Sequence, residues 1–332
     1  MRTYFDLADY QEALPHPVIS LGNFDGVHLG HQQIFRALQA EARQARGTDI
    51  VITFFPHPLR VLHPEKAPNL ITTLEERLRL IEACGNTVTV CIPFSRTFAH
   101  LSHEEFVREV LVGRFGVRRI LVGEDTRFGK DRRGDLAFLR ESGKHYGFSV
   151  RRIEPVLIQG VETSSTRIRH CVRQGRIREA AAMLGRFYGI SGKVREGEKR
   201  GRLLGFPTAN LSTEAELLPA DGVYAVWGTL GNRTAPGVAN LGSNPTFPGD
   251  RFSVEVHLFD FDEDIYGRTL RVDFVERIRE EIKFPSVHAL VEQIRDDARR
   301  AREILAANPP AQGSALAGSA LPFHPQAGTT KP

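Results

Sequence analysis

Val18-Ile19-Ser20-Leu21-Gly22-Asn23-Phe24-Asp25-Gly26-Val27-His28-Leu29-Gly30-His31 is the stretch on which the fold turns. Its four leading apolar residues read as a short buried strand and Gly22-Asn23 as the turn that closes it. Ile34, Leu38 and Ala42, with Phe35 beside them, then recur at helical spacing. The same alternation continues downstream. Ile50-Val51-Ile52-Thr53-Phe54 reads as a buried strand closed by Pro56-His57-Pro58, and Thr72-Thr73-Leu74-Glu75-Glu76 as the start of a capped helix carrying Leu78 and Ile81. Val88–Ile92 and Arg119–Gly123 add two strands, with a helix-like stretch from Ser102 to Leu111 between them. Repeated β-α-β units predict an α/β fold with a doubly wound parallel sheet.

His28, Gly30 and His31 fall in the first turn of the first helix. Two imidazoles one turn apart beside free backbone N–H groups form an anion site with two movable protons. Attack on an α-phosphate needs such a site, because negative charge grows on non-bridging oxygens, where each preorganised donor contributes roughly 3 kcal/mol. Gly30 lets a phosphate approach the backbone. There is no G-x-x-x-x-G-K-[ST] pattern, so ATP would be held by another device. Taken alone, two histidines at a helix start are more often caps or surface residues.

At 332 residues the chain exceeds what one core usually serves, so two domains are expected. After about Gly185 the texture changes to short alternating runs set off by Gly and Pro: Val223–Trp227, Gly237–Asn240, Ser253–Leu258 and Leu270–Val275. This pattern predicts a C-terminal, mainly β small barrel or sandwich. Ile282 to about Ala307 reads as a terminal helix whose apolar stripe runs through Val287, Leu290, Val291, Ile294, Ala298 and Ala301. The expected division is 1–186, 187–307 and a disordered tail over 308–332, the last rich in Pro, Ala, Gly and Ser.

The composition, 41% apolar and 25% charged, is that of an ordinary globular chain. No run of about 18 apolar residues could span a bilayer, and the first residues lack the pattern of a secretory signal, which predicts a cytoplasmic protein without a membrane partner. Cys84, Cys91 and Cys171 are read as buried thiols, since their spacing suits neither a disulfide framework nor zinc. Net charge is only +4, yet residues 114–178 carry 16 Lys or Arg against 7 Asp or Glu. Solvated arginines would explain that excess; polyphosphate is the main functional alternative and nucleic acid a weaker one.

Thr163-Ser164-Ser165-Thr166-Arg167-Ile168-Arg169 sets hydroxyls before a helix-like run, suited both to cap it and to bind phosphate oxygens, with Arg167 offering a bidentate grip. Gly192 to Leu211 is a Gly-rich basic loop that could wrap a diphosphate and ends in Pro207-Thr208-Ala209-Asn210. Mg2+ prefers few protein ligands plus phosphate oxygens and water, so Thr208 and Asn210 are candidate ligands. Strand alternation sends Phe252, Val254, Val256 and Leu258 one way and Ser253, Glu255 and His257 the other. If the second face lines the mouth of a barrel, Glu255 can take a proton from a primary alcohol. If it meets water, Glu255 is a surface carboxylate.

Gly22 to Gln32 closely resembles the signature of bacterial bifunctional riboflavin kinase/FMN adenylyltransferases, its H-x-G-H core being shared with the wider nucleotidyltransferase superfamily. Thr163 to Arg169 is similar to that family's second phosphate element, and Val122 to Gly129 to a strand-end loop whose nucleotide contact maps to Asp125. Gly201 to Asn210, Asn240 to Phe247, Val254 to Phe261 and Asp264 to Gly267 resemble riboflavin kinase signatures. The resemblance spans about residues 15–300. It implies that riboflavin and ATP give FMN at the C-terminal module, and that FMN and ATP give FAD and pyrophosphate at the N-terminal, nucleotidyltransferase-like one. His28 and His31 would serve adenylyl transfer, and Glu255 would be the kinase base. Asn23, Gly30, Asp125, Ser164, Ser165, Thr166, Arg167, Gly201 and Arg202 would hold nucleotide or phosphate. His57, Arg279 and Phe284 would contact flavin. Two departures stand out: Thr126 where the family usually has an aromatic residue and Phe55 where it often has an acidic one. Rival readings are a synthetase-like or nucleic-acid-binding protein, against which no aromatic-rich basic stripe is found, and a flavin-binding regulator with decayed sites, against which His28, His31, Arg167, Thr208 and Glu255 are all present. Neither a nucleic-acid partner nor oligomerisation is indicated.

Overall fold

The computed structural model describes residues 1–197, 201, 205–242 and 253–310. Its first half is one six-stranded, all-parallel sheet built from β1 (Arg2–Tyr4), β2 (Val18–Leu21), β3 (Asp49–Phe55), β4 (Val88–Pro93), β5 (Arg119–Val122) and β6 (Ser149–Arg152), in the order β1-β4-β3-β2-β5-β6. The order reverses beside β2, which is the doubly wound arrangement, and crevices for ligands open at the carboxyl ends of strands at such a point. All four residues of β2 are buried, as a parallel strand covered on both faces requires.

One face is covered by α1 (Leu29–Gln44), through Phe35, Leu38 and Ala42, and α3 (Leu74–Ala83), through Leu80 and Ile81. Between these helices lies the short α2 (Pro58–Leu62). After α4 (Arg96–Ala99), α5 (His103–Glu105) runs into a π-helical stretch, Phe106–Arg114, which packs with α6 (Leu136–Tyr146) on the opposite face. A two-stranded hairpin, β7 (Leu157–Ile158) and β8 (Val161–Glu162), then leads to α7 (Ser165–Arg173) and α8 (Ile177–Leu184).

The second half is a closed antiparallel barrel of β9 (Tyr188–Arg195), β10 (Ala209–Thr213), β11 (Gly222–Leu230), β12 (Arg233–Gly242), β13 (Ser253–Leu258) and β14 (Thr269–Arg279). Its interior is filled by alternate residues such as Tyr188, Tyr224, Val256 and Phe274. The terminal helix α9 (Val287–Ala307) lies on the outer wall, where Ala301 and Leu305 meet Val223, Val238 and Ile278.

Several elements differ from the sequence reading. β1 and β6 are short polar edge strands without an apolar run; β6 carries Arg151 and Arg152, the charged character that blunts a sheet edge. Gly192 to Arg195 is not loop but the end of β9, and a Cβ on Gly192 would come 2.4 Å from Ser212 O, so glycine there marks close strand approach. The terminal helix begins at Val287 rather than Ile282: Pro285 biases Phe284 away from helical backbone, and Ser286 caps by accepting from Ala289 N. Val287 is consequently 63% exposed and lies outside the apolar stripe. Cys91 and Cys171 are buried and Cys84 half-buried, all as free thiols. Of the expected tail, Asn308 closes the helix and accepts from Trp227 Nε1 at 2.9 Å, while residues 311–332 lie outside the described residues.

Helix α9 is pinned to the barrel by charge as well as by apolar contact. Asp297, 2% exposed, accepts from Arg279 Nε at 2.9 and 3.0 Å and from Gln293 Nε2 at 3.0 Å, with Arg279 Nη2 at 2.8 Å. Removing one partner of such a pair leaves the other charge buried without compensation. Asp297→Ala is therefore expected to destabilise the barrel by about 3–5 kcal/mol in urea unfolding, far more than Asp296→Ala at the half-buried neighbouring position, whose partner Arg299 is exposed.

Candidate functional sites

The turn between β2 and α1 places the first group of candidates at the carboxyl edge of the sheet, next to the end of β5. His28 is the N-cap of α1, its Nδ1 accepting from His31 N at 3.4 Å, and the two rings stack with centroids 3.6 Å apart. With Nδ1 accepting, the proton of the neutral His28 ring sits on Nε2, the donor a phosphate oxygen could use. His31 Nδ1 is shielded and lacks a hydrogen-bond partner, as does the buried Thr163 Oγ1. Burial pushes His28 down to about 4 and His31 well below the usual histidine range; Asp25 opposes the shift at His28, and His28 and Arg77 reinforce it at His31. Both rings are neutral hydrogen-bonding groups at neutral pH.

The segment Thr163 to Arg169 arrives at the same place. Ser164 caps α7 by accepting from Arg167 N at 3.3 Å, and Ser165 Oγ donates to Asp25 O at 2.9 Å. A Cβ on Gly30 would lie 3.8 Å from Thr163 O, so the first turns of α1 and α7 converge. Thr166 and Arg167 are exposed. Two helix N-termini brought together beside the exposed Arg167 are an arrangement suited to an anion. Asn23 is half-buried beside it, and Asp125, exposed past the end of β5, folds its carboxylate within 3.1 Å of the Cβ position of Gly123.

Asp25 and Arg169, both inside quoted motifs, were not singled out from sequence. Asp25 Oδ2 pairs with Arg169 Nη2 at 2.6 Å, and its carboxylate also accepts from Ile71 N, Thr72 N and Thr72 Oγ1. An acidic residue in Asn-Phe-Asp-Gly reads as turn chemistry, which conceals a buried ion pair. His57 lies in this half too: Nδ1 accepts from Leu59 N at 3.2 Å as the cap of α2, and Nε2 is 3.1 Å from the Asn23 side-chain amide. Burial pushes it down to about 4. Part of the basic excess over residues 114–178 is met by carboxylates from outside that range, Arg119 and Arg151 pairing with Glu41, Arg169 with Asp25 and Arg178 with Glu276.

The second group gathers on the barrel. Arg279, Val223, Asn240, Glu255 and Asn210 are successive cross-strand partners and so share one face. That face is the outer wall beneath α9, neither the barrel mouth nor open water; the interior is closed by Val254, Val256 and Leu258 from the opposite side of β13. A cavity of about 580 Å³ lies between wall and helix, lined by Thr208, Glu255, Arg279 and Phe284 among others. Thr208 Oγ1 is 3.5 Å from Glu255 Oε2, and a Cβ on Gly201 would stand 3.3 Å from that hydroxyl. His257 Nδ1, 2.8 Å from Pro207 O, holds the turn before Thr208. Arg279 reaches over Phe284, 5.6 Å from the ring centre, while its guanidinium is held by Asp297. Asp297 was missed because an Asp in a charged helix looks solvated. Arg202, Ser243 to Phe247 and Phe252 lie outside the described residues.

Both halves of the chain have counterparts among known proteins. The family model described as FAD synthetase matches residues 10–167 and the one described as riboflavin kinase matches residues 184–305. A protein of Escherichia coli (strain K12) named bifunctional riboflavin kinase/FMN adenylyltransferase is 40% identical over 295 residues, covering 89% of this chain and 94% of its own. One of the same name from Pseudomonas fluorescens is 38% identical, covering 87% and 93%. A crystal structure titled as a macrolide-efflux protein from Streptococcus pneumoniae superposes with a TM-score of 0.82 at 34% identity, covering 92% of this chain and 98% of that one. Its title stands apart from the agreement of both family models and the named relatives. Among the described residues no helix is long and apolar enough to cross a membrane.

The depressed histidines make stability pH-dependent. His28, His31 and His57 are neutral in the fold but take up protons near 6.5 when unfolded, so their contribution is complete above about pH 6.5 and is lost as pH falls toward 4. Each contributes a slope approaching about 1.4 kcal/mol per pH unit in that window. Urea unfolding is expected to give lower stability at pH 5 than at pH 7, and His57→Gln should flatten the slope by about one proton.

Proposed function

This chain belongs to the bifunctional riboflavin kinase/FMN adenylyltransferase family, and on that premise we propose how its residues divide the two reactions. The chain phosphorylates riboflavin to FMN with ATP and transfers an adenylyl group from ATP to FMN, giving FAD and pyrophosphate. We assign residues 1–186 to adenylyl transfer, 187–307 to the kinase and 308–332 to a tail. The use of ATP fits a cytoplasmic enzyme.

In the kinase the riboflavin ribityl hydroxyl attacks the γ-phosphorus of ATP. A new P–O bond forms, the bond to the β-phosphate oxygen breaks, ADP leaves, and the hydroxyl proton passes to Glu255. The observation that carries this assignment is the cavity itself, where Glu255 and Thr208 meet under α9. A hydroxyl, an amide and a carboxylate are hard oxygen donors, and no cluster of three His, Cys, Asp or Glu suited to a metal occurs among the described residues. Such a donor set suits Mg2+ held largely by phosphate, with Thr208 and Asn210 as its protein ligands. The ion would neutralise charge on the phosphates. Gly201 and Arg202 belong to the loop over them, and Arg279 and Phe284 to the flavin side.

In adenylyl transfer a phosphate oxygen of FMN attacks the α-phosphorus and pyrophosphate leaves. The nucleophile is already ionised, so the reaction needs donors rather than a base. His28 Nε2, His31, the N–H groups near Gly30 and at Ser165 and Thr166, and Arg167 supply them, with Asn23 and Asp125 on the nucleotide. His57, buried against Asn23, suits support of that turn better than direct flavin contact.

Chromatography of flavins after incubation with riboflavin, ATP and Mg2+ separates the roles. His31→Ala should abolish FAD while FMN accumulates, a loss of about 100-fold or more in the second step; equal loss of both products would refute the division. Glu255→Ala should lower riboflavin phosphorylation by at least about 100-fold and leave adenylylation of supplied FMN intact. Kinase turnover surviving in that variant removes Glu255 as the base.

A further inference from the structure

The turn that delivers His28 is held in a conformation most residues avoid. Phe24, Gly26 and Val27 have φ of 48°, 82° and 40°, all in the left-handed region. For buried, β-branched Val27 that is an outlier which persists only where the surroundings over-determine it. The over-determination is found on the carbonyls. Gly26 O accepts from Arg186 Nη2 at 2.8 Å, and Val27 O from Gln32 Nε2 at 3.0 Å and Arg186 Nη1 at 3.4 Å. Gln32 and Arg186 share a further acceptor, Leu184 O, at 3.0 and 3.5 Å.

Arg186 belongs to none of the motifs. It lies between α8 and β9, at the junction of sheet and barrel, and that junction is packed onto the first turn of α1: a Cβ on Gly185 would stand 2.6 Å from Leu29 Cδ2. Burial lowers the guanidinium pKa, with Glu76 and Asp273 opposing and Arg271 reinforcing. Glu76 comes from α3 and Asp273 from β14, and Arg271 joins them at 2.9 Å each. A planar fork can span two successive carbonyls, whereas a lysine ammonium is a single point of charge.

We propose that Arg186 is a positioning residue for adenylyl transfer, fixing the Gly26 and Val27 carbonyls and through them the His28 ring and its stack on His31, an inference resting on the assignment of this turn to the adenylyl site. The residue that sets the geometry of the N-terminal reaction thus sits on the segment leading into the kinase barrel. The charged or titratable groups facing His28 are Asp25, Arg169, Arg186 and His31, so loss of Arg186 also removes one of the charges that disfavour its protonation.

The test uses the full chain with Arg186→Gln, Arg186→Lys and His28→Ala, assayed for FMN-to-FAD conversion and for riboflavin phosphorylation. Both Arg186 variants are expected to lose about tenfold or more in kcat for FAD formation, with KM for ATP and FMN changed by less than about threefold. Kinase kcat should stay within about twofold, since Arg186 does not line the barrel cavity. The acid limb of the FAD-forming kcat profile should move to higher pH in Arg186→Gln and remain in place in Arg186→Lys, which keeps the charge. Wild-type kcat in either variant, a change in KM alone, or equal loss of both activities overturns the proposal. If Arg186→Gln does not fold, Arg186→Lys alone decides on the same kcat criterion. Should His28→Ala form FAD normally, the assignment of the turn fails instead, a result distinguishable from failure of Arg186.

Discussion

The buried pair of Asp25 and Arg169 is the constraint on which the N-terminal site depends. Removing two charges from water is repaid only when their remaining hydrogen-bonding capacity is met. Here the Asp25 carboxylate accepts from two backbone amides and a hydroxyl besides the guanidinium, and Arg169 Nε donates to Asn69 O at 2.9 Å. The pair joins three segments far apart in sequence: the turn after β2, the segment entering α3, and α7. Each helix N-terminus is a modest anion site by itself. Their convergence is the arrangement suited to phosphates in the proposed site, and that convergence is what a satisfied buried ion pair specifies.

Neutral histidines follow from the same burial. A charged imidazolium would attract a polyphosphate more strongly at long range, but the rings stand on buried backbone among Phe24, Val27 and Phe35, where ionisation is disfavoured. In the proposed adenylyl transfer they would offer instead oriented N–H donors on buried rings, where each hydrogen bond to a developing charge gains strength. On the same proposal, attraction at range would be left to exposed Arg167 and to the rest of the basic region.

The parallel sheet and the apolar barrel strands were legible because burial on one or both faces imposes a period on the residues themselves. Edge strands β1 and β6 were not, since an edge is polar by requirement, and neither was β9, whose two glycines are placed by close approach of a neighbouring strand. Of the candidate residues, those in motifs come together in the fold, His28 with His31 and near Ser164, and Glu255 with Thr208. Asp25, Arg169, Asp297 and Arg186 were opaque for a common reason. Each is a charged residue that looks solvated in sequence and is buried only because a partner from a distant segment meets it. Local pattern carries no trace of that partner.

The placement of Glu255 follows from barrel size. Six strands enclose a space that side chains fill completely, and Tyr188, Tyr224 and Phe274 occupy it, so substrate has no room inside. A carboxylate able to meet substrate, the role proposed for Glu255, must then stand on the outer wall, where by itself it would face water. The terminal helix converts that wall into a cavity, and its seat is fixed by the ion pair of Arg279 and Asp297 together with the apolar contacts of Ala301 and Leu305. The cavity of this half therefore depends on an element that contributes no strand to the barrel, and the segment 280–286 linking β14 to that helix, with Phe284 beneath Arg279, becomes one side of the pocket.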